Sequence, residues 1–347
     1  MRLDKIILQN FRNYKKIEVE LHSDLVLIVG ENATGKTNFL ESIYFLSNLK
    51  SFRAPDAMLV NHEEDYFNVT GRVGDETLEV VVQKSPALRR GFKMNGQKIR
   101  KISWNTFKTV LFAPNDLNMF ILGPSERRRF LNDVLGEKEA LYPIDLASLE
   151  HILKQRAALL EKIRERTANY SELDFWNSEL AQVAVRISRS RRNFIDYLND
   201  KFRDAYGSLT GFGSYFQIIY KGLNDNISET DFIKMLEDHR ESEIRSGMNL
   251  IGPHRDDFMI LKDGLENIYN SSRGELREQI LALKILQAEY ITVGDNKPIV
   301  LLDDVFSELD AARRLKLLEN FSQQVFITTT EEMLAPSAQI VEVKNLS

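Results

Sequence analysis

The sequence has no cysteine among its 347 residues, which excludes disulfides and thiolate metal sites and fits a reducing cytosol. No apolar run approaches the roughly 20 residues of a membrane span. The opening Met1-Arg-Leu-Asp-Lys-Ile6 lacks the apolar core of a secretion signal, so a cytoplasmic protein without a membrane partner is expected. The five histidines, at 22, 62, 151, 239 and 254, are scattered and show no metal-ligand spacing. An excess of positive charge is also missing: 46 Lys and Arg against 51 Asp and Glu leave a net charge of −5. A nucleic-acid partner would have to be held by a local basic patch, because the whole-protein field does not attract it. Internal repeats and low-complexity tracts are absent as well.

What is present is organised around Gly30-Glu31-Asn32-Ala33-Thr34-Gly35-Lys36-Thr37, which fits the phosphate-binding pattern G-x-x-x-x-G-K-[ST]. It follows the continuous apolar run Leu25–Val29, the mark of a strand buried on both faces. After it, Phe39, Ile43 and Leu46 stand at helical spacing from Asn38 onward. Glycines there let backbone N–H groups approach phosphate oxygens, and the helix start adds partial positive charge. Lys36 is placed to reach the outer phosphates, and the Thr37 hydroxyl to bind Mg2+.

A second half of the site is expected far along the chain. Pro298–Leu302 reads as another fully buried strand and ends in Asp303-Asp304, a Walker B pattern. Asp303 would hold Mg2+, and Asp304 stands where a general base orients the attacking water. Ser271-Ser272-Arg273-Gly274 precedes a helix with Leu276, Ile280, Leu283 and Leu286 inward. Alone it reads first as a plain helix cap and only second as an anion-ready one.

Between these halves the texture changes. Residues 66–99 read as an antiparallel meander with turns at Gly74-Asp75 and Asn95-Gly96. From about 116 to 245 strand signals almost vanish, and two amphipathic stripes suggest a helical hairpin about Ala168–Ser171. One stripe is Leu146, Leu149, Leu153, Leu160 and Ile163; the other runs from Trp176 through Leu180, Val183, Ile187 and Phe194 to Tyr197, interrupted at Ser190. From about 248 strands return, with Phe258–Leu261 and Ile268-Tyr269 bracketing Lys262-Asp-Gly264 as a hairpin. The expected architecture is α/β, with residues 1–115 and 248–347 forming a discontinuous ATPase head of mixed sheet and β-meander. A mostly helical lobe, 116–247, is inserted in it.

The order P-loop, insertion, Ser-x-Gly, helix, Walker B and then Ser307-Glu-Leu-Asp310 resembles the ABC-type ATPase head. More closely, the chain resembles the RecF family of bacterial recombination mediators, whose heads are SMC-like. The strings that carry this are Leu8-Gln-Asn-Phe-Arg-Asn-Tyr14, Ser51-Phe-Arg53, Leu111–Leu117, Gly123-Pro-Ser-Glu-Arg-Arg-Arg-Phe-Leu131, Gly252-Pro-His-Arg-Asp-Asp257 and Leu301–Asp310. The resemblance implies that ATP is bound by Gly30–Asn38 with Arg12 near the phosphates, and that Lys36 and Asp304 are catalytic. It implies a homodimer closed by ATP, with Ser272, Arg273 and Gly274 of one copy meeting the P-loop of the other and with Ser307 and Asp310 as the D-loop. It implies double-stranded DNA at gaps or single-strand junctions as the ligand, RecR with RecO as partners in RecA loading, and weak DNA-stimulated ATP hydrolysis. Glu275 departs from the usual signature and is unfavourable near a phosphate unless Arg273 or Arg277 offsets it. Arg127, Arg128 and Arg129, with Arg186, Arg189, Arg191 and Arg192, are the densest cationic groups; Arg127–Arg129, Arg189 and Arg192 are the candidate DNA contacts. The other readings are a transporter's ATPase subunit and a small-molecule P-loop kinase.

Overall fold

A computed structural model describes residues 1–101, 104, 107–211, 213–224, 227–306, 309–330 and 337–343. The chain packs as two units, Met1–Asp116 with Gln287–Ser347, and Leu117–Leu286.

In the first unit, β1 (Leu3–Phe11), β2 (Tyr14–Glu20), β3 (Leu25–Val29), α1 (Lys36–Asn48), β4 (Tyr66–Val73), β5 (Glu76–Gln83), β6 (Arg89–Met94), β7 (Gln97–Lys98) and β8 (Thr109–Phe112) come first. Two sheets result. Strands β2-β1-β4-β5-β6-β7 form an antiparallel sheet whose residues alternate buried and open, as in β4. The turns Gly74-Asp75 and Asn95-Gly96 lie where the pattern places them, and Asn95 and Gly96 both have the positive φ of a type I′ turn (51° and 78°).

The second sheet is parallel throughout and is completed from the far end of the chain. It draws on β12 (Ile299–Leu302), β13 (Val325–Thr329) and β14 (Gln339–Glu342), with α8 (Ala311–Glu319) between β12 and β13; its order is β14-β3-β13-β12-β8. Strands β12 and β13 are buried at every position, as continuous apolar runs covered on both faces require. Helix α1 packs on both sheets, and Phe39, Ile43 and Leu46 are buried there, as the spacing predicts. Gly71 lets it approach β4: a Cβ there would stand 2.4 Å from Leu46 Cδ2.

The second unit holds α2 (Asn118–Ile121), α3 (Pro124–Lys138), α4 (Tyr142–Arg164), α5 (Leu173–Thr210), β9 (Phe216–Lys221), α6 (Glu229–Ser246), β10 (Asp257–Lys262) and β11 (Leu265–Glu266), and α7 (Arg273–Ile291) begins in it. Helices α4 and α5 are the expected hairpin. The break at Ser190 closes in an unexpected way: the stripe continues through Arg191, which is 1% exposed. Its guanidinium donates to Asp256 Oδ2 (2.8 Å), Pro253 O (2.6 Å), Asn132 Oδ1 (3.0 Å) and Tyr142 Oη (3.0 Å). A buried guanidinium is tolerated only with its donors satisfied, and four acceptors supply that. Arg156 does the same on α4, meeting Glu243, Asn249 and Asn177 at 2.7 Å each.

Two expectations need correction. The hairpin partner of β10 is Leu265–Glu266, not Ile268-Tyr269, because Asp263 and Gly264 with φ of 53° and 84° make a two-residue turn. The second boundary falls at 286/287 instead of 247/248. Strand β9, unnoticed in the mostly helical stretch, pairs antiparallel along all of β10, which keeps residues 248–286 with the helical unit.

Candidate functional site: a phosphate cradle and a carboxylate pair

Strand β3 delivers the Gly30–Thr37 loop into the start of α1. The turn needs left-handed backbone at Ala33 (φ 66°) and Gly35 (φ 112°), and a Cβ on Gly35 would stand 2.6 Å from Asn13 Nδ2. Helix α1 starts at Gly35 with no side-chain cap and no acidic residue in its first turn, so its open N–H groups suit an anion. The loop is held from behind: Asn13 Nδ2 donates to Thr34 O (3.1 Å) and Tyr14 Oη to Gly35 O (3.0 Å). Lys36 folds over the loop and donates to Gly30 O (2.7 Å) and Glu31 O (2.8 Å). Burial lowers the Lys36 ammonium below its ordinary pKa, against the pull of Asp304 and Asp303. Glu31, Asn32 and Ala33 form the exposed tip.

The parallel sheet brings the second half to this loop. Thr37 Oγ1 donates to Asp303 Oδ1 at 2.9 Å, across 266 residues of sequence. The same oxygen accepts from Thr328 Oγ1 at 2.8 Å, and that hydroxyl in turn accepts the Asp304 N–H at 2.8 Å. Burial pushes the Asp303 carboxyl up, only partly countered by Thr328, Thr37 and the charge of Arg53. A buried carboxylate oxygen beside a threonine hydroxyl is a hard-oxygen donor set suited to Mg2+. Asp304 is exposed and sits in the left-handed region at φ 54°. Thr328 has no role in the sequence reading; its place near the end of a buried strand was the signal for one.

The arginines are arranged differently from expectation. Arg12 is not aimed at the loop: it pairs through two nitrogens with Glu41 (2.9 and 3.0 Å) and donates to Met58 O (3.0 Å). Glu41, on α1 and fully buried, also takes Arg53 (2.6 Å) and the Ser51 hydroxyl. Arg53 further donates to Asn38 Oδ1 (2.7 Å), so of the two arginines on Glu41 it is the one that also reaches the first turn of α1. The Ser51-Phe-Arg53 string was visible in the sequence without a role.

In the second unit, Ser272, Arg273 and Gly274 are exposed at the start of α7. Ser272 and Glu275 cap the helix reciprocally: Ser272 N–H donates to Glu275 Oε2 (2.8 Å) and Glu275 N–H to Ser272 Oγ (3.3 Å). The cation meeting Glu275 is Lys262 of β10; this pair and the Ser272 bonds lower the Glu275 carboxyl. Asp310 caps α8 by accepting Arg313 N–H (2.9 Å), and Ser307 lies outside the described residues.

Of the candidate DNA contacts, Arg127 is locked to Asp257 (2.6 and 2.9 Å), Arg128 donates to Asp256 O (2.8 Å), and Arg192 binds Leu223 O and lies over the Tyr220 ring. These three serve the unit's own framework. Asp257 and Asp256, which accept from Arg127 and Arg128, belong to the Gly252–Asp257 string, which thereby acquires a structural role; His254 sits in it against Asn249 O (3.1 Å). Arg129 and Arg189 are the exposed members, Arg129 beside Glu126.

A P-loop and a Walker B strand in one parallel sheet, a second antiparallel sheet and a helical insertion define an ABC-type ATPase head of SMC-like architecture. Residues 2–346 match the RecF/RecN/SMC N terminal domain family. The DNA replication and repair protein RecF of Acetivibrio thermocellus is 34% identical over 96% of this chain and 94% of its own length. That of Moorella thermoacetica is 35% identical, covering 98% and 93%. A solved structure of the recombination mediator protein RecF-ATP in the RecFOR pathway is 30% identical with a TM-score of 0.86, over 98% of this chain and 95% of that one. An SMC head bound to the C-winged helix domain of ScpA, at 15% identity and TM-score 0.57 over 99% and 94%, shares the fold. The chain belongs to the RecF family.

Proposed function

We propose that this chain is a recombination-mediator ATPase of DNA replication and repair that works as an ATP-gated clamp in the cytoplasm. The observation that carries this reading is the meeting of Thr37 and Asp303 at 2.9 Å beside Lys36, which makes half of a nucleotide site. The other half is supplied by Ser272, Arg273 and Gly274 of a second copy, so ATP drives homodimerisation. Ser272 stands exposed at the start of α7, where its Oγ accepts the Glu275 N–H in the helix cap and its hydroxyl can turn to a phosphate oxygen. Glu275 is reconciled with that role by Lys262, which neutralises it.

Within the site, Lys36 would leave the carbonyls of Gly30 and Glu31 for the outer phosphates, Thr37 and Asp303 would hold Mg2+, and Asp304 would orient water. Bound Mg2+ would offset phosphate charge at the buried Asp303. Slow, weakly DNA-stimulated hydrolysis releases the dimer. The proposed ligand is duplex DNA at gaps or single-strand junctions, and RecR with RecO are the proposed partners in RecA loading; in support, a 30% identical solved relative is a recombination mediator of the RecFOR pathway. Light scattering with and without ATP tests the reading: the mass should rise toward a dimer with ATP, and Lys36→Met should abolish the rise. A monomer under every nucleotide would overturn it. The transporter and kinase readings have no observation in their favour.

A further inference from the structure

Between residues 84 and 101 stand seven cations and no Asp or Glu; a chain of net charge −5 with +7 here carries −12 elsewhere. The fold gathers six of them, all but Lys84, on β6, β7 and the segment that follows, at the edge of the six-stranded sheet. Register places Arg89 opposite Gln83, Lys93 opposite Glu79, and Lys98 opposite Lys93, on the open face; Leu78, Val80 and Val82 occupy the buried one. Two cations are neutralised at home, Arg90 by Asp56 and Lys93 by Glu79 (3.0 Å). Arg89, Lys98, Arg100 and Lys101 are exposed, and among the described residues none of the four has an ion pair.

Edge strands commonly carry a lysine to block pairing with other chains. That does not account for two unpaired arginines, nor for Lys98 standing opposite Lys93, whose carboxylate partner Glu79 is already engaged. Planar guanidinium groups suit phosphate oxygens. Arg89 and Lys93 stand about 13 Å apart along the strand at ~3.3 Å per residue. Duplex DNA presents a charge every ~1.7 Å of axis, so several phosphates fall within reach of this edge.

We propose, resting on the DNA reading above, that the β6–β7 edge and Arg100-Lys101 form a sequence-independent binding surface for the phosphate backbone of duplex DNA. The test compares parent, the fourfold alanine variant (Arg89, Lys98, Arg100 and Lys101→Ala) and the charge-keeping variant (R89K, K98R, R100K, K101R) in full-length protein with ATP and Mg2+. Anisotropy of a labelled blunt duplex is measured across a salt series. In the alanine variant affinity at about 0.1 M salt should fall at least tenfold, and the slope of log affinity against log salt should flatten by about one unit per lost phosphate contact. The charge-keeping variant should hold both values, and ATP affinity should be unchanged in all three. A parent that binds no duplex under any nucleotide would sink the DNA reading itself. A parent that binds duplex, with an alanine variant of equal affinity and slope, would overturn this surface alone. The same holds if the alanine variant loses only an acidic polypeptide probe.

Discussion

Replacing Thr328 by valine measures how much of the site's order depends on one hydroxyl. Thr328 is 1% exposed in β13, donating to Asp303 Oδ1 at 2.8 Å and accepting the Asp304 N–H at 2.8 Å. Valine keeps the branched shape and nearly the volume, so the hydroxyl is the main loss and little cavity forms. The bond to the buried carboxylate is of the kind worth about 1.5–3 kcal/mol, while water can reach the exposed Asp304 turn and replace its acceptor there. The expected loss of unfolding free energy is therefore about 2 kcal/mol, read by urea denaturation. Phosphate release should slow by about tenfold or more, because ~1.4 kcal/mol of misplaced carboxylate suffices for that. KM for ATP should change less, since Lys36 and the loop keep their own contacts. Thr328→Ser restores the hydroxyl and should recover both quantities. A valine variant within ~0.5 kcal/mol of the parent that turns ATP over at the parental rate would refute the reasoning.

Two further outcomes follow from ion pairs. Burial works against the Glu41 charge, but bonds from Arg12, Arg53 and Ser51 win and hold the carboxyl below its ordinary 4.5. Its stabilisation is thus complete above pH 4.5 and is lost as pH falls through the folded value; Glu41→Gln should flatten this acid limb of a stability-versus-pH curve, and an unchanged limb would exclude Glu41 as its source. Lys262→Ala strips Glu275 of its cation, so ATP-dependent dimerisation should weaken severalfold in sedimentation, and adding Glu275→Gln should restore it; equal dimerisation in Lys262→Ala would show that Glu275 does not face phosphate.

The features that were legible in the sequence are those set by local rules. Gly30–Thr37 announces its turn through glycines, Ile299–Leu302 announces burial on both faces, and Asn95-Gly96 announces a tight hairpin. What stayed hidden depends on partners distant in the chain. Nothing near Ser190 says that the stripe continues through a charged residue, because Arg191 becomes tolerable only when Pro253 and Asp256 reach it. The Arg127-Arg128-Arg129 run looks like a cationic face until Asp257 and the Asp256 carbonyl take two of its members. Lys262 and Glu275 lie on a strand and a helix whose packing no periodicity encodes. Phe216–Lys221 alternates as a strand should, and overlooking it displaced the second boundary by nearly forty residues, from 247 to 286.

The backbone at Asp304 has a consequence for descent as well as for chemistry. With φ at 54°, the position favours glycine, asparagine and aspartate, whose short polar side chains tolerate the left-handed region best. A longer glutamate would have to bear that conformational cost or reshape the turn. Random mutation here therefore samples few active alternatives. A lineage that came to carry the longer carboxylate would have to alter the turn between β12 and Val305 first and lengthen the side chain second, so the choice of residue here is inherited with its backbone.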